Sequence, residues 1–473
     1  MSEARARRAD DVREERTVWV GWDRGSSVVS IAEGVRHRRH RAIDVVHWFL
    51  QAAREANQEL NAFTYVAPAE CLEEQARVID EAIEEGHDPG ALAGVPVAVK
   101  DTEHVRGMPT SFGSYVDEKV PAADSVHVLR LRRAGAIIVG KTNVPEFAYS
   151  YETRNARFGQ TRNPRDLTRS PGGSSGGSAA AVSSGMVPLA TGSDGGGSIR
   201  IPAAFCGLPG LKPTFGLVPG SDTYWGDLGH SGALTRTVQD LARYLDVVTG
   251  VGLLAAASRW GQQTSYERAL TEPLKVGGLK ILASVSPDGM AVDDAVQEAF
   301  EHVLRQFERA GVSVTRSDPP LPKSLRAFLD MASRGDALRW QTWSAEERGK
   351  VTPSFREWCE RGLSVSRADL RRAEETRRDV IRATEAVLEE FHFMVTATVA
   401  LPAWKTSHTP PDPADVLLTH PFNLSGHPAL TLPLPDVLAG FQVIGPYFSE
   451  ANLLRLACRV LPEIGYAGLM SGT

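Results

Sequence analysis

Between Val95 and Asp101 the chain reads Val-Pro-Val-Ala-Val-Lys-Asp. An apolar run this short, ending abruptly in charge, is the pattern of a strand buried on both faces, because a strand with one wet face would alternate. Ala136-Ile137-Ile138-Val139-Gly140 has the same character. Segments of helical spacing surround such runs. Val28, Ile31, Val35, Ile43, Val46, Phe49 and Ala53 recur at helix period, and residues 67–84 do so before Gly86 and Pro89-Gly90 stop them. The alternation continues with a helix over 125–134, a helix over 179–182 and a strand over 187–191. It goes on with a strand over 279–285, a helix over 293–310, and strands over 312–316, 393–397 and 441–444. Strands with no wet face need helices on both sides of their sheet, so the sequence predicts an α/β fold.

Residues 1–25 are rich in Arg, Asp and Glu and are expected to form a charged N-terminal arm. Residues 26–473 are expected to form a single domain, although a length of 473 residues would also admit about three. Residues 321–391 read as mostly helical and charged, which marks them as a helical cap or insertion. The cluster His37-Arg38-Arg39-His40-Arg41 interrupts the first helical pattern. It is expected to be a solvated helix end or turn, with a binding patch as the lesser alternative.

A net charge of −6 gives no electrostatic reason to expect nucleic acid as a partner. No apolar stretch approaches the roughly 18 residues a membrane span needs, and the charged N-terminus lacks the apolar core of a secretory signal. Cys71, Cys206, Cys359 and Cys458 are scattered, without zinc spacing or the density of a disulfide scaffold, so a cytoplasmic protein without a metal is expected.

The most unusual segment is Ser170 to Pro202, where two glycine-rich clusters flank one short helix–strand unit. Gly195, Gly196 and Gly197 directly precede Ser198. Consecutive unblocked N–H groups beside a serine hydroxyl are what an oxyanion hole needs, because charge develops on the carbonyl oxygen during acyl transfer. A phosphate-cradling loop is a poorer fit, since no Walker-type lysine follows. A tight turn with small-residue packing remains the plain alternative. Gly172-Gly173-Ser174-Ser175-Gly176 matches the spacing of a nucleophile elbow, but no strand feeds Ser174. Neither Ser-x-x-Lys nor His-Glu-x-x-His occurs. Lysine is scarce, with nine residues among the 52 Lys and Arg, so Lys100 at the end of a buried strand stands out. A desolvated lysine can lose its proton and act as a base, although pairing with a buried carboxylate is the ordinary alternative.

Taken together, Leu92 to Asp101, Gly140 to Ala148, Gly172-Gly173-Ser174-Ser175-Gly176-Gly177-Ser178, Gly192 to Pro202 and Pro421 to Leu430 resemble the blocks of the amidase signature family. The similarity spans about residues 28–465. It implies a mixed central β-sheet flanked by helices on both faces, with a helical insertion. It also implies a Ser–Ser–Lys triad. Ser198 resembles the nucleophile, Ser174 the bridging serine held on a cis peptide after Gly173, and Lys100 the base. The backbone N–H groups of Gly195, Gly196, Gly197 and Ser198 resemble the oxyanion hole. Ser175, Asp194 and Arg200 match residues that brace the site. Many members carry Thr or Ile where this chain has Gly195, which is expected to loosen the loop or open room for substrate.

The function this resemblance implies is hydrolysis of a carboxamide C–N bond in a small-molecule or peptide-like substrate, with no cofactor. The alternatives are the glutaminase subunit of a tRNA-dependent amidotransferase, and acyl transfer to an amine; a homodimer is left open. Among the other residues, Cys206 is expected to pack in the core. His127 and His230 are candidate pocket residues or structural histidines. Tyr149–Phe158 is a candidate border of the substrate site, as are Trp225 and Trp404, with plain packing as the alternative.

Overall fold

The computed structural model describes residues 26–220, 225, 228–249, 265–272, 274–466 and 469. The arm expected over 1–25 lies outside the described residues. Thirteen strands occur among the described residues. They are β1 (Phe63–Val66), β2 (Pro96–Lys100), β3 (Ile137–Thr142), β4 (Arg154–Asn155), β5 (Gly159–Gln160), β6 (Leu189–Asp194) and β7 (Gly210–Lys212), then β8 (His230–Thr235), β9 (Lys280–Ser284), β10 (Ser313–Arg316), β11 (Phe393–Ala397), β12 (Ala429–Pro433) and β13 (Gly440–Ile444). β4 and β5 form a separate ribbon, and the other eleven join in one sheet in the order β1-β3-β2-β6-β8-β7-β12-β13-β11-β9-β10.

The sheet is mixed. β2 runs parallel to β3 and β6, and β9 runs parallel to β10 and β11. The middle, from β6 through β8, β7, β12 and β13 to β11, is antiparallel. The apolar runs explain the burial: every residue of β2, β3, β11, β12 and β13 is buried, as strands covered by helices on both faces require.

The helices follow the expected pattern. Ser27 caps the Val28–Arg36 helix through a capping box with Ser30. The chain then turns at His37 to Arg41, with Arg38 left-handed at φ 57°, and the Ala42–Leu60 helix begins. The basic cluster is therefore the turn between two helices. Asp80 accepts from the N–H groups of Ala42 (2.7 Å) and Ile43 (3.3 Å), which fixes where the second helix starts.

Residues 321–391 form four helices, Leu325–Gln341, Ala345–Lys350, Pro353–Ser364 and Arg367–Glu390. The first and third pack so closely that a Cβ on Gly362 would overlap the Ser333 carbonyl. A second apolar cluster, including Phe112, Phe147, Trp340, Trp343 and Phe355, fastens these helices to the loops after β2 and β3. The Arg339 guanidinium lies over the Phe112 and Phe147 rings, at 4.5 and 4.4 Å from their centroids, and pairs with Asp117 at 2.6 Å. No described helix is long and apolar enough to cross a membrane.

Candidate active site

Lys100 is the last residue of β2, and its strand neighbour β6 carries Thr191 and Ser193. Residues two apart on a strand share a face, so both hydroxyls turn toward the lysine. The Lys100 N–H donates to Thr191 Oγ1 at 3.0 Å, and Lys100 Nζ stands 2.9 Å from Ser193 Oγ. The same Nζ is 2.7 Å from Ser174 Oγ. Ser174 sits in the loop before the Gly176–Ser183 helix, and the Gly173–Ser174 peptide bond is cis. Thr153 holds this loop from behind: its Oγ1 donates to the Gly172 carbonyl at 2.8 Å and accepts from the Gly176 N–H at 3.1 Å. Gly173 has no room for a side chain, since a Cβ would lie 2.8 Å from the Glu152 nitrogen.

Three lysines are buried, Lys100, Lys141 and Lys212, but their surroundings differ. Lys141 pairs with Asp101 at 3.3 Å and donates to the Glu103 carbonyl at 2.7 Å and to Thr110 Oγ1 at 2.9 Å. Lys212 donates to the Pro213 carbonyl at 3.1 Å. Lys100, only 1% exposed, faces two hydroxyls instead. Burial drives its amine down to about 7, against the opposing pull of the Asp194 and Glu103 carboxylates. A neutral amine has a lone pair, so it can take a proton from one hydroxyl while donating to the other.

The loop that leaves β6 is anchored by Asp194 and Arg200, both wholly buried. Arg200 Nε and Nη2 each stand 2.9 Å from an Asp194 carboxylate oxygen. Its remaining N–H groups reach the Thr419 carbonyl (3.0 Å), Gln442 Oε1 (2.8 Å) and Asn423 Oδ1 (2.6 Å), so all five donors are used. Burial alone would raise the Asp194 carboxyl, but the guanidinium and the Asn423 amide hold it well below the usual carboxylate range. The Gly197 N–H donates to Asp194 Oδ1 at 2.7 Å and is thereby occupied within the loop. Among the described residues, no group accepts from the N–H of Gly195, Gly196 or Ser198. Ser175 ties the two glycine-rich segments together: its N–H donates to the Ser198 carbonyl (3.2 Å) and its hydroxyl to the Ser193 carbonyl (3.3 Å).

Ser198 opens onto a cleft whose lining includes Tyr149, Tyr151, Gly196, Trp225, Phe328 and Trp358. The residues marked in the sequence therefore assemble at one place: Lys100, Ser174 and Ser175 on one side, Asp194 to Arg200 on the other. Tyr149, Tyr151 and Trp225 border this cleft. Trp404 stands behind them, edge-on to Tyr151 and Phe205 at ring distances of 5.6 and 5.2 Å. The two histidines are outside the cleft lining. His127 is buried between Glu103 (3.0 Å) and the Tyr244 hydroxyl (2.7 Å), and His230 Nδ1 lies 2.9 Å from the Leu228 carbonyl. Cys206 is buried with its thiol on the Pro171 carbonyl, and burial pushes that thiol up.

Ser193, Thr419 and Gln442 stand at the site without having been singled out in the sequence, as do Phe328, Trp358 and Asp336 of the helices within 321–391, whereas Asn423 lies in the Pro421 to Leu430 block that the sequence marks. Ser193 was within reach, standing two residues after Thr191 on a strand beside Lys100. Thr419, Gln442, Phe328, Trp358 and Asp336 act from more than a hundred positions away in the chain, where no local pattern marks them.

A family model described as Amidase matches residues 44–454. Among curated proteins, a glutamyl-tRNA(Gln) amidotransferase subunit from Geobacillus sp. (strain WCH70) is 33% identical over 450 residues, covering 88% of this chain and 92% of the relative. Among solved structures, a bacterial aryl acylamidase of the amidase signature enzymes superposes with a TM-score of 0.86 at 26% identity, covering 95% of this chain and 99% of that one. The native peptide amidase of Stenotrophomonas maltophilia superposes with a TM-score of 0.80 at 25% identity, covering 93% of this chain and 97% of that one.

Proposed function

The chain belongs to the amidase signature family and is an enzyme of carbon–nitrogen bond cleavage, and from that premise we propose that it hydrolyses a linear carboxamide through an acyl-enzyme on Ser198. The observation that carries this reading is the buried Lys100 amine, near neutrality at about 7 and 2.7 Å from Ser174 Oγ.

In this mechanism neutral Lys100 accepts the Ser174 proton as Ser174 accepts that of Ser198. The Ser198 oxygen attacks the amide carbon, and the carbonyl electrons move onto oxygen. The N–H groups of Gly195, Gly196 and Ser198 stabilise that oxyanion, while Gly197 shapes the loop through Asp194. Collapse breaks the C–N bond, and the relay returns the proton to the leaving amine. Water then adds to the ester by the same relay and releases the carboxylic acid, restoring Ser198. Asp194 and Arg200 hold the loop in place and do not exchange protons.

The test is Ser198→Ala, which should reduce amide turnover by at least ~10³-fold with the fold intact by circular dichroism. Turnover equal to the parent would end the proposal. A second reading is favoured by the curated relatives: an amidotransferase component that releases ammonia from glutamine for a partner. It requires glutaminase activity that rises when the partner is bound.

A further inference from the structure

Aromatic rings wall the cleft above Ser198, and among the described residues lining it none is charged. Trp225 and Phe328 meet edge to face at 6.2 Å, and Trp225 and Trp358 are 6.5 Å apart. The two loop glycines lie directly against this wall. A Cβ on Gly195 would be 2.5 Å from Trp225 Cε3, and one on Gly196 would overlap the Phe328 ring. One carboxylate fixes both indoles: Asp336 Oδ2 accepts from Trp225 Nε1 and from Trp358 Nε1, each at 2.8 Å. Asp336 and Phe328 share the Leu325–Gln341 helix, so that single element supplies one ring and the anchor of two others.

We propose that the substrate of this site is an amide bearing an uncharged aromatic group beside the scissile bond, seated against the wall of Trp225, Phe328 and Trp358, with Asp336 as the residue that positions the two indoles. The proposal rests on Ser198 being the nucleophile. Flat rings offer offset-stacked and edge-on contacts to another ring. Glutamine would bring an ammonium and a carboxylate against a lining in which no described residue is charged, and unpaired buried charge is strongly disfavoured. Asp336 is itself buried; burial raises its carboxyl to about 6, with the two indole N–H groups pulling the other way.

The experiment measures kcat and KM for benzamide, phenylacetamide, acetanilide, acetamide and glutamine on the full chain. It also reads labelling of Ser198 by methanesulfonyl fluoride, a small reagent without a ring. The best aromatic amide should exceed glutamine by at least ~100-fold in kcat/KM. Glutamine equal to or better than every aromatic amide, with Ser198 labelled, would overturn the substrate class and leave the nucleophile standing. Absence of both labelling and turnover would overturn the acyl-enzyme reading and this proposal with it. For the anchor, Asp336→Ala should raise KM for the aromatic amide ~10-fold with a smaller effect on kcat, and Asp336→Asn, which keeps an acceptor oxygen, should recover most of the loss. KM values equal to the parent in both variants would overturn the positioning role. If Asp336→Ala does not fold, Trp358→Leu serves: it should reduce the ratio of phenylacetamide to acetamide kcat/KM, and an unchanged ratio would count against the ring wall.

Discussion

Lys100 Nζ and Ser174 Oγ face each other at 2.7 Å at the end of β2, and the amine's other side-chain partner is also a hydroxyl, Ser193. Lys141, equally buried, contacts a carboxylate instead. Burial pushes both amines down, but the Asp101 carboxylate in contact with Lys141 favours its charged form, whereas the side-chain contacts of Lys100 are hydroxyls.

The first prediction concerns pH. With Lys100 at about 7, kcat/KM should fall as pH drops through that value, because the amine gains a proton and loses its lone pair. Glu103 raises the Lys100 value, so Glu103→Gln should move the acid limb to lower pH. Lys100→Arg stays cationic and should be inactive throughout. A flat profile of initial rates from about pH 5 to about pH 8 would contradict the relay.

The second prediction isolates Ser193. Ser193→Ala removes one of the two hydroxyls that orient the Lys100 amine. It should lower kcat by about 10-fold and leave KM nearly constant, because the lost contact is to the base and not to substrate. Steady-state kinetics above the acid limb would show the opposite split if Ser193 instead touched the substrate.

The third prediction follows from the contact between Gly195 and Trp225. Gly195→Thr places a Cβ 2.5 Å from the indole and must displace it. Displacement should cost about 1–3 kcal/mol of stability and weaken aromatic substrates. Trp225→Ala should remove much of that penalty in the double variant, so a double-mutant cycle by urea denaturation should show coupling. Strict additivity would mean that the ring and the loop are independent.

The fourth prediction is thermodynamic. Arg200→Met would leave Asp194 buried without its guanidinium. Breaking such a pair from one side costs about 3–5 kcal/mol, which chemical denaturation would register as a lower midpoint. A midpoint within error of the parent would show that the remaining donors suffice.

The legible parts of this chain are those with local pattern. The apolar runs at Val95–Val99 and Ala136–Gly140 announce strands β2 and β3, and both are covered on each face. Strand β8 carries no such sign, because His230-Ser231-Gly232-Ala233-Leu234-Thr235 mixes polar and small residues; its burial comes from the sheet around it. Strand β7 is three residues long and gives no period to read. The site divides in the same way. The glycine-rich loops and Lys100 are visible in sequence, while the support for Arg200 comes from Thr419, Asn423 and Gln442, over 200 positions later. Gly197 shows a further limit: its place in a run of glycines suggests a free donor, but the fold gives its N–H to Asp194.

The five-donor clasp of Arg200 has a temporal meaning. Its partners at 419, 423 and 442 are translated long after Lys100, Ser174 and Ser198. A nascent polypeptide thus carries these three residues well before the contacts that fix the Asp194 to Arg200 loop can form.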